Sequence, residues 1–183
     1  MLAVVFAVSI VGVHYEHPQR HFSVELPKDW APVEPLNDPA GIIFHRNTND
    51  RLTISTIRAV PVGDATLQDF VLAIAAASQG EPGYVSVASG PTTLAGAVGY
   101  RRRFTLFIDP NGQFTKTVEE RVAIIDGIGY VVRVEGFTHW FNQRSRDTAQ
   151  IFKTFATPGS ARPASLRSLP CPFRADANAN RTP

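Results

Sequence analysis

Between Gly96 and Phe137 the chain alternates apolar and polar residues three times over, and two strong turn signals divide the stretch. Asp109-Pro110-Asn111-Gly112 is the first and Asp126-Gly127 the second. Asp-Gly and Asn-Gly supply the backbone conformations that tight antiparallel turns require. The pattern predicts a three-stranded meander. Tyr100, Phe104, Leu106 and Ile108 share one face of its first strand, Val118, Val122 and Ile124 one face of the second, and Tyr130, Val132 and Val134 one face of the third. Successive residues of a strand point to opposite faces, so each set makes an apolar strip that must be covered. The rest of the chain has to supply the cover.

Two segments fit that task. Thr66 is a suitable N-cap with Asp69 three residues on, an acidic form of the capping box, and Leu67, Phe70, Val71, Ile74 and Ala75 then recur at helical spacing. Gly80, Pro82 and Gly83 end that helix. A last helix is expected from Thr138 to Phe155, with Phe141, Thr148, Ile151, Phe152 and Phe155 on one side.

Ahead of the first helix, Phe22-Ser23-Val24-Glu25-Leu26 alternates as a half-buried strand, and Pro27 ends it. Pro32, Pro35 and Pro39 predict irregular chain through to Ala40. Gly41 to His45 and the run from Leu52 to Arg58 read as strands. Tyr84 to Ala88 reads as another, closed by a turn at Ser89-Gly90-Pro91. Strands segregated from two helices give an α+β class, a mainly antiparallel sheet flanked by helices.

The organisation expected for the 183 residues is a domain over 21–157 between two appendages. Residues 1–20 form an apolar targeting or anchor segment and a linker. Met1 to Val13 has the length of a signal-peptide apolar region and falls short of the ~20 residues of a membrane-spanning helix. Residues 158–183, rich in Pro, Ala, Ser and Arg, are expected to be disordered. Arg162, Arg167, Arg174 and Arg181 against Asp176 give this tail a net charge of +3 (4 − 1), against +2 for the whole chain, so the rest is close to neutral. The sequence pI of 8.9 is therefore no sign of a nucleic-acid partner. The single cysteine, Cys171, excludes an intramolecular disulfide.

Several residues are candidates for chemistry. His14, His17 and His21 would share a face on a helix, a weak divalent-metal candidate that Pro18 interrupts, and a solvated linker is the plainer expectation. With Asp109 opposite Gln113, Arg102 falls opposite Glu120 and Phe104 opposite Val118, which puts an Arg–Glu pair on the apolar face. Arg101, Arg103, Glu119, Arg121, Arg133 and Glu135 are then expected to share the other face. Arg101, Arg103, Arg121 and Arg133 become the candidate partner-binding set, with cross-strand ion pairing as the structural alternative. Trp30, Tyr130 and Trp140 are expected as packing residues along with Arg102 and Glu120. No nucleophile elbow, phosphate loop or His-Glu-x-x-His helix occurs, and His45 and His139 stand apart in sequence. No catalytic residue and no cofactor is assigned.

The order of these elements resembles the PsbP-like family, whose α/β/α sandwich is shared with Mog-type Ran-binding proteins and several bacterial envelope proteins. Phe22-Ser23-Val24-Glu25-Leu26-Pro27-Lys28-Asp29-Trp30 carries the resemblance at the front and Thr66-Leu67-Gln68-Asp69-Phe70 in the middle. Asp126-Gly127-Ile128-Gly129-Tyr130-Val131-Val132, then Trp140-Phe141 and Phe152 with Phe155, carry it at the end. The resemblance implies a non-enzymatic, extracytoplasmic accessory protein that contacts a membrane-associated complex. It is also the sole source of calcium as an expectation, and no ligand residue carries over. A small-molecule or metal-binding module, or a hydrolase with spatially assembled residues, is the alternative.

Overall fold

The structure, a computed structural model, describes residues 12–17, 19, 21–33, 41–46, 54–158 and 160, with the backbone alone at position 144. Its frame is a seven-stranded antiparallel sheet. The strands are β3 (Trp30–Val33), β4 (Gly41–Arg46), β5 (Ile54–Pro61), β6 (Val85–Leu94), β7 (Ala97–Phe107), β8 (Thr115–Ile125) and β9 (Ile128–Phe137), ordered β3-β4-β5-β9-β8-β7-β6. A separate hairpin pairs β1 (Val13–His17) with β2 (Phe22–Leu26).

The expected meander is present and larger than its sequence suggested. Asp109 closes the β7–β8 loop by accepting backbone N–H bonds from Asn111, Gln113 and Phe114 at 3.2, 3.3 and 2.8 Å. These bonds hold its carboxyl below the ordinary aspartate value, that from Phe114 most of all. The loop sets Arg102 opposite Glu120 and Phe104 opposite Val118, as expected. Asp126 and Gly127 both take left-handed backbone, φ 51° and 75°, and join β8 to β9 through two residues. A further turn at Ala95–Gly96, φ 50° and 82°, joins β6 to β7, so the meander has four strands.

Two proline-containing stretches expected to be turn or irregular chain are strands instead. β6 runs through Gly90 and Pro91, and β3 contains Pro32. Both strands lie at the edges of the sheet, where one side of the backbone needs no ladder bond and a missing N–H costs little.

Helix α1 (Leu67–Gln79) covers one face of the sheet. Its Thr66 capping box is formed, with the Asp69 N–H donating to Thr66 Oγ1 at 3.2 Å. Phe70 packs with Val122 and Val131, and Leu67, Val71 and Ile74 lie around them. Burying one such ring is worth about 1.5–3 kcal/mol. The ring lies over Gly129, where a Cβ would meet Phe70 Cζ at 2.5 Å, so only glycine allows α1 this close.

The opposite face is covered by the β1–β2 hairpin and the C-terminal helices. The last helix is interrupted. α2 (Thr138–Phe141) passes through a 3-10 turn, Asn142–Arg144, into α3 (Ser145–Thr154). Phe22, Val24 and Leu26 of β2 join Phe44, Ile57, Val132, Phe141, Ile151 and Phe155 in the main core. Thr154 Oγ1 accepts the Glu25 N–H at 3.0 Å, and Ser23 and Ala156 exchange backbone bonds at 2.8 and 2.9 Å. Helix, sheet and helix-plus-hairpin therefore form three layers. Val13–His17, expected within a linker, belongs to this packed layer. Residues 1–11 of the targeting segment, and all but Pro158 and Ser160 of the tail, lie outside the described residues.

Candidate functional site

The charged residues of β7, β8 and β9 form two separate constellations, one on each face of the sheet. Glu120 lies directly between Arg102 and Arg133 on the neighbouring strands. Arg102 Nη1 donates to Glu120 Oε2 at 3.1 Å, and Arg133 Nη1 lies 3.5 Å from Oε1. Arg133 also donates through Nε to Glu135 at 2.9 Å, and Lys116 Nζ reaches Glu135 at 3.0 Å. Both guanidinium groups sit near the Phe104 ring, 5.0 and 5.8 Å from its centroid. Glu120 is only 2% exposed, and burial pushes its carboxyl above the ordinary glutamate value while Arg133 and Arg102 pull it back. Arg102 Nη2 is buried with no hydrogen-bond partner. This constellation lies on the α1 side of the sheet, with Arg102 and Glu120 both buried.

The expectation that Arg133 and Glu135 share the face of Arg101 is overturned. The two-residue turn at Asp126–Gly127 sets Val131 opposite Val122 and Arg133 opposite Glu120. The period of two then carries Glu135 to the Arg102 side as well.

On the other face, Arg101, Arg103 and Arg121 surround one buried carboxylate. Arg103 holds Glu119 through Nε at 3.0 Å and also through Nη2. Arg121 Nη2 lies 3.9 Å from Glu119, and its guanidinium stacks on Phe152 at 4.5 Å. Burial lowers the Arg121 pKa, with Glu119 opposing the shift and Arg101 adding to it. Arg101 is exposed and makes no ion pair among the described residues.

Beyond Arg103 the same face ends in aromatic residues. The Arg103 guanidinium stands 5.7 Å from the Phe141 ring, and Trp140 beside it is 46% exposed. Phe114 is 56% exposed and packs edge-on against Phe137 at 6.4 Å, but on the Arg102 side of the sheet, where Phe137 follows Arg133 and Glu135. Thr138 Oγ1 meets Thr115 Oγ1 and Thr117 Oγ1 at 3.0 and 3.1 Å, which pins α2, and with it Phe141 and Trp140, to the end of β8. Trp140 is therefore not the core anchor expected from sequence. α2 is a single turn, and Phe141 takes its one buried position. Trp30 and Tyr130 are buried.

The histidines do not converge. His14 and His17 lie on strand β1, where an odd separation puts them on opposite faces. His14 Nδ1 pairs with Glu25 at 2.7 Å, His17 packs on Phe22 at 5.2 Å, and His21 sits at a left-handed turn. No group of three or more His, Cys, Asp or Glu side chains that would hold a metal ion occurs among the described residues. They offer calcium no such donor set. His45 Nδ1 lies 3.2 Å from the Arg46 carbonyl, and His139 stacks edge-on against Trp140. Among the described residues neither is paired with a carboxylate. Cys171 lies outside them.

No family model and no curated protein matches the chain. Solved structures do. The solution structure of cyanobacterial PsbP (CyanoP) from Synechocystis sp. PCC 6803 superposes at a TM-score of 0.61 and 15% identity, over 85% of this chain and 98% of that one. LpqN of Mycobacterium tuberculosis, involved in cell envelope biogenesis, gives 0.55 at 16%, over 80% and 90%. The Saccharomyces cerevisiae Ran-binding protein Mog1p gives 0.57 at 8%, over 81% and 96%. Identities this low speak for architecture alone. The chain has the PsbP/Mog-type fold.

Proposed function

We propose that the chain is a non-enzymatic accessory protein, working outside the cytoplasm by docking to an acidic surface of a membrane-associated complex. The observation that carries this reading is the exposed Trp140, next in sequence to the Phe141 ring that Arg103 faces, with exposed Arg101 two residues along the same face of β7. Large exposed aromatics beside arginines are the composition of interface hot spots, since both bury much area at low entropic cost. Arg103 is held in place by Glu119 and Phe141, whereas Arg101 makes no ion pair among the described residues and is placed to meet a partner's carboxylate. PsbP, LpqN and a Ran-binding protein share the fold, which supports a binding role over a catalytic one. No helix among the described residues is long and apolar enough to cross a membrane, so membrane association would come through a partner or through segments outside them.

A photo-crosslinking residue at position 140, used in the native host, tests the proposal. A discrete adduct with one membrane-complex subunit, lost in Arg101→Glu/Arg103→Glu, is the expected result. An adduct that survives both charge reversals, or none in a folded protein, would overturn it.

A further inference from the structure

The opposite end of the same face carries a second feature. The Ala95–Gly96 turn, Arg121 and the C-terminal end of α3 bound a half-open cleft of about 280 Å³. That is the liquid volume of roughly nine water molecules. Phe152, Phe155 and Ala95 form its apolar walls, and Arg121 and Lys153 are its cations. A cleft of mixed character recognises a ligand of mixed character, because a purely polar ion leaves the walls wet and a purely apolar one strands the cations.

Three observations show that the positive charge here is available. Among the described residues Arg121 has only Glu119 as a carboxylate partner, 3.9 Å away, and Glu119 is already engaged by Arg103. Arg121 Nε is buried with no hydrogen-bond partner among the described residues, while the stack on Phe152 fixes the guanidinium plane. Lys153 makes no ion pair among the described residues, and Arg101, opposite Arg121 across the strands, makes none either. Glu119 is thus the single carboxylate among the residues of β7 and β8 on this face. Asp126, at the exposed β8–β9 turn, acts on Tyr130. Low-dielectric walls beside uncompensated cations concentrate the potential inside the cleft.

We propose that this cleft binds a small amphiphilic carboxylate, its head group between Arg121 and Lys153 and its hydrocarbon part against Phe152 and Phe155. The planar guanidinium matches a carboxylate in a way a single ammonium does not. The ligand contacts at Arg121 and Lys153 lie apart from the docking rim at Arg103 and Trp140, and Arg101, between the two on β7, lines only the approach.

Amide NMR titration of the full chain at constant ionic strength tests it, with sodium octanoate, 1-octanol and inorganic phosphate as probes. Octanoate is expected to shift the amides of Thr93, Gly96, Lys153 and Ala156. Octanol should bind about tenfold more weakly for want of the charge-assisted bonds. Phosphate should leave these amides unmoved. Lys153→Glu, at an exposed position, should weaken octanoate about fivefold or more, as expected for reversing one charge at a partly desolvated contact. Arg121→Lys, which keeps the charge and loses the fork, should weaken it too, while Arg146→Glu on the outer side of α3 should not. Equal binding of octanol and octanoate, phosphate binding as tightly as octanoate, or shifts confined to another region would each refute the assignment. So would a natively folded Lys153→Glu variant with unchanged affinity.

Discussion

Replacing Arg102 by Met tests the energetics of the buried charges. Arg102 and Glu120 are almost wholly removed from water, with side-chain exposures of 6% and 2%, and Arg102 Nη2 has no hydrogen-bond partner. Desolvation of both charges has therefore been incurred for an incompletely satisfied pair. Arg102→Met leaves Glu120 buried with only Arg133 near it at 3.5 Å, and Arg133 is shared with Glu135. Removing one partner of a buried pair costs about 3–5 kcal/mol. Adding Glu120→Leu should return the double variant to within about 1 kcal/mol of the wild type, or above it, since apolar replacement of such pairs is often neutral or stabilising. Urea unfolding followed by the fluorescence of buried Trp30 reads this directly. With a slope of about 2 kcal/mol/M, a 3 kcal/mol loss moves the midpoint by roughly 1.5 M. The sign with pH is also fixed. Burial holds the folded-state pKa of Glu120 above its unfolded value, so the proton's contribution to stability is full below about pH 4.3 and is lost as pH rises through the folded value. Arg102→Met raises that folded value further, so its deficit should shrink as pH falls towards 4.3. A single variant within 1 kcal/mol of wild type at pH 7, or a double variant no better than the single, would refute the reasoning.

Five other substitutions have expected outcomes. Trp30→Ala should cost about 3–5 kcal/mol in chemical unfolding, whereas Trp140→Ala should change stability by less than about 0.5 kcal/mol, because only the first leaves a core void. Gly129→Ala should destabilise by about 1–3 kcal/mol, since the added methyl meets Phe70 and Val62 at 2.5–2.6 Å. Ala95→Gly should raise stability by about 0.5–1 kcal/mol in thermal unfolding by relieving a left-handed φ of 50°. Thr66→Ala should lower it by about 1 kcal/mol, with amide exchange quickened in the first turn of α1.

The residues differ in how much of this they announced. The register of β7 against β8 was legible because the Asp109 loop fixes it and because Phe104 and Val118 alternate with charged neighbours. The faces of β9 were not. Gly129 through Val132 are all buried, since this strand is central and covered on both sides, so alternation carries no information about which side is which. Position in the sheet likewise decided the prolines, and Pro91 and Pro32 could be read as strand residues only once β6 and β3 were known to be edges. Trp140 shows the same dependence on context, because a four-residue helix buries one ring and exposes the next. The cleft beside Arg121 joins a turn at residues 95–96 to a helix more than fifty residues later, a proximity no local pattern encodes.

The layer formed by β1, β2 and α3 determines how the domain can be held. Gly12 abuts the Leu26 carbonyl and the Gln150 side chain, and Ala156 is stitched to Ser23. The first and last described stretches of the domain thus lie on one side, the side away from α1. Any tether joined at either end would suspend the domain by that side alone, with α1 turned outward. A short peptide bridge between the two would close the chain into a ring without crossing the sheet.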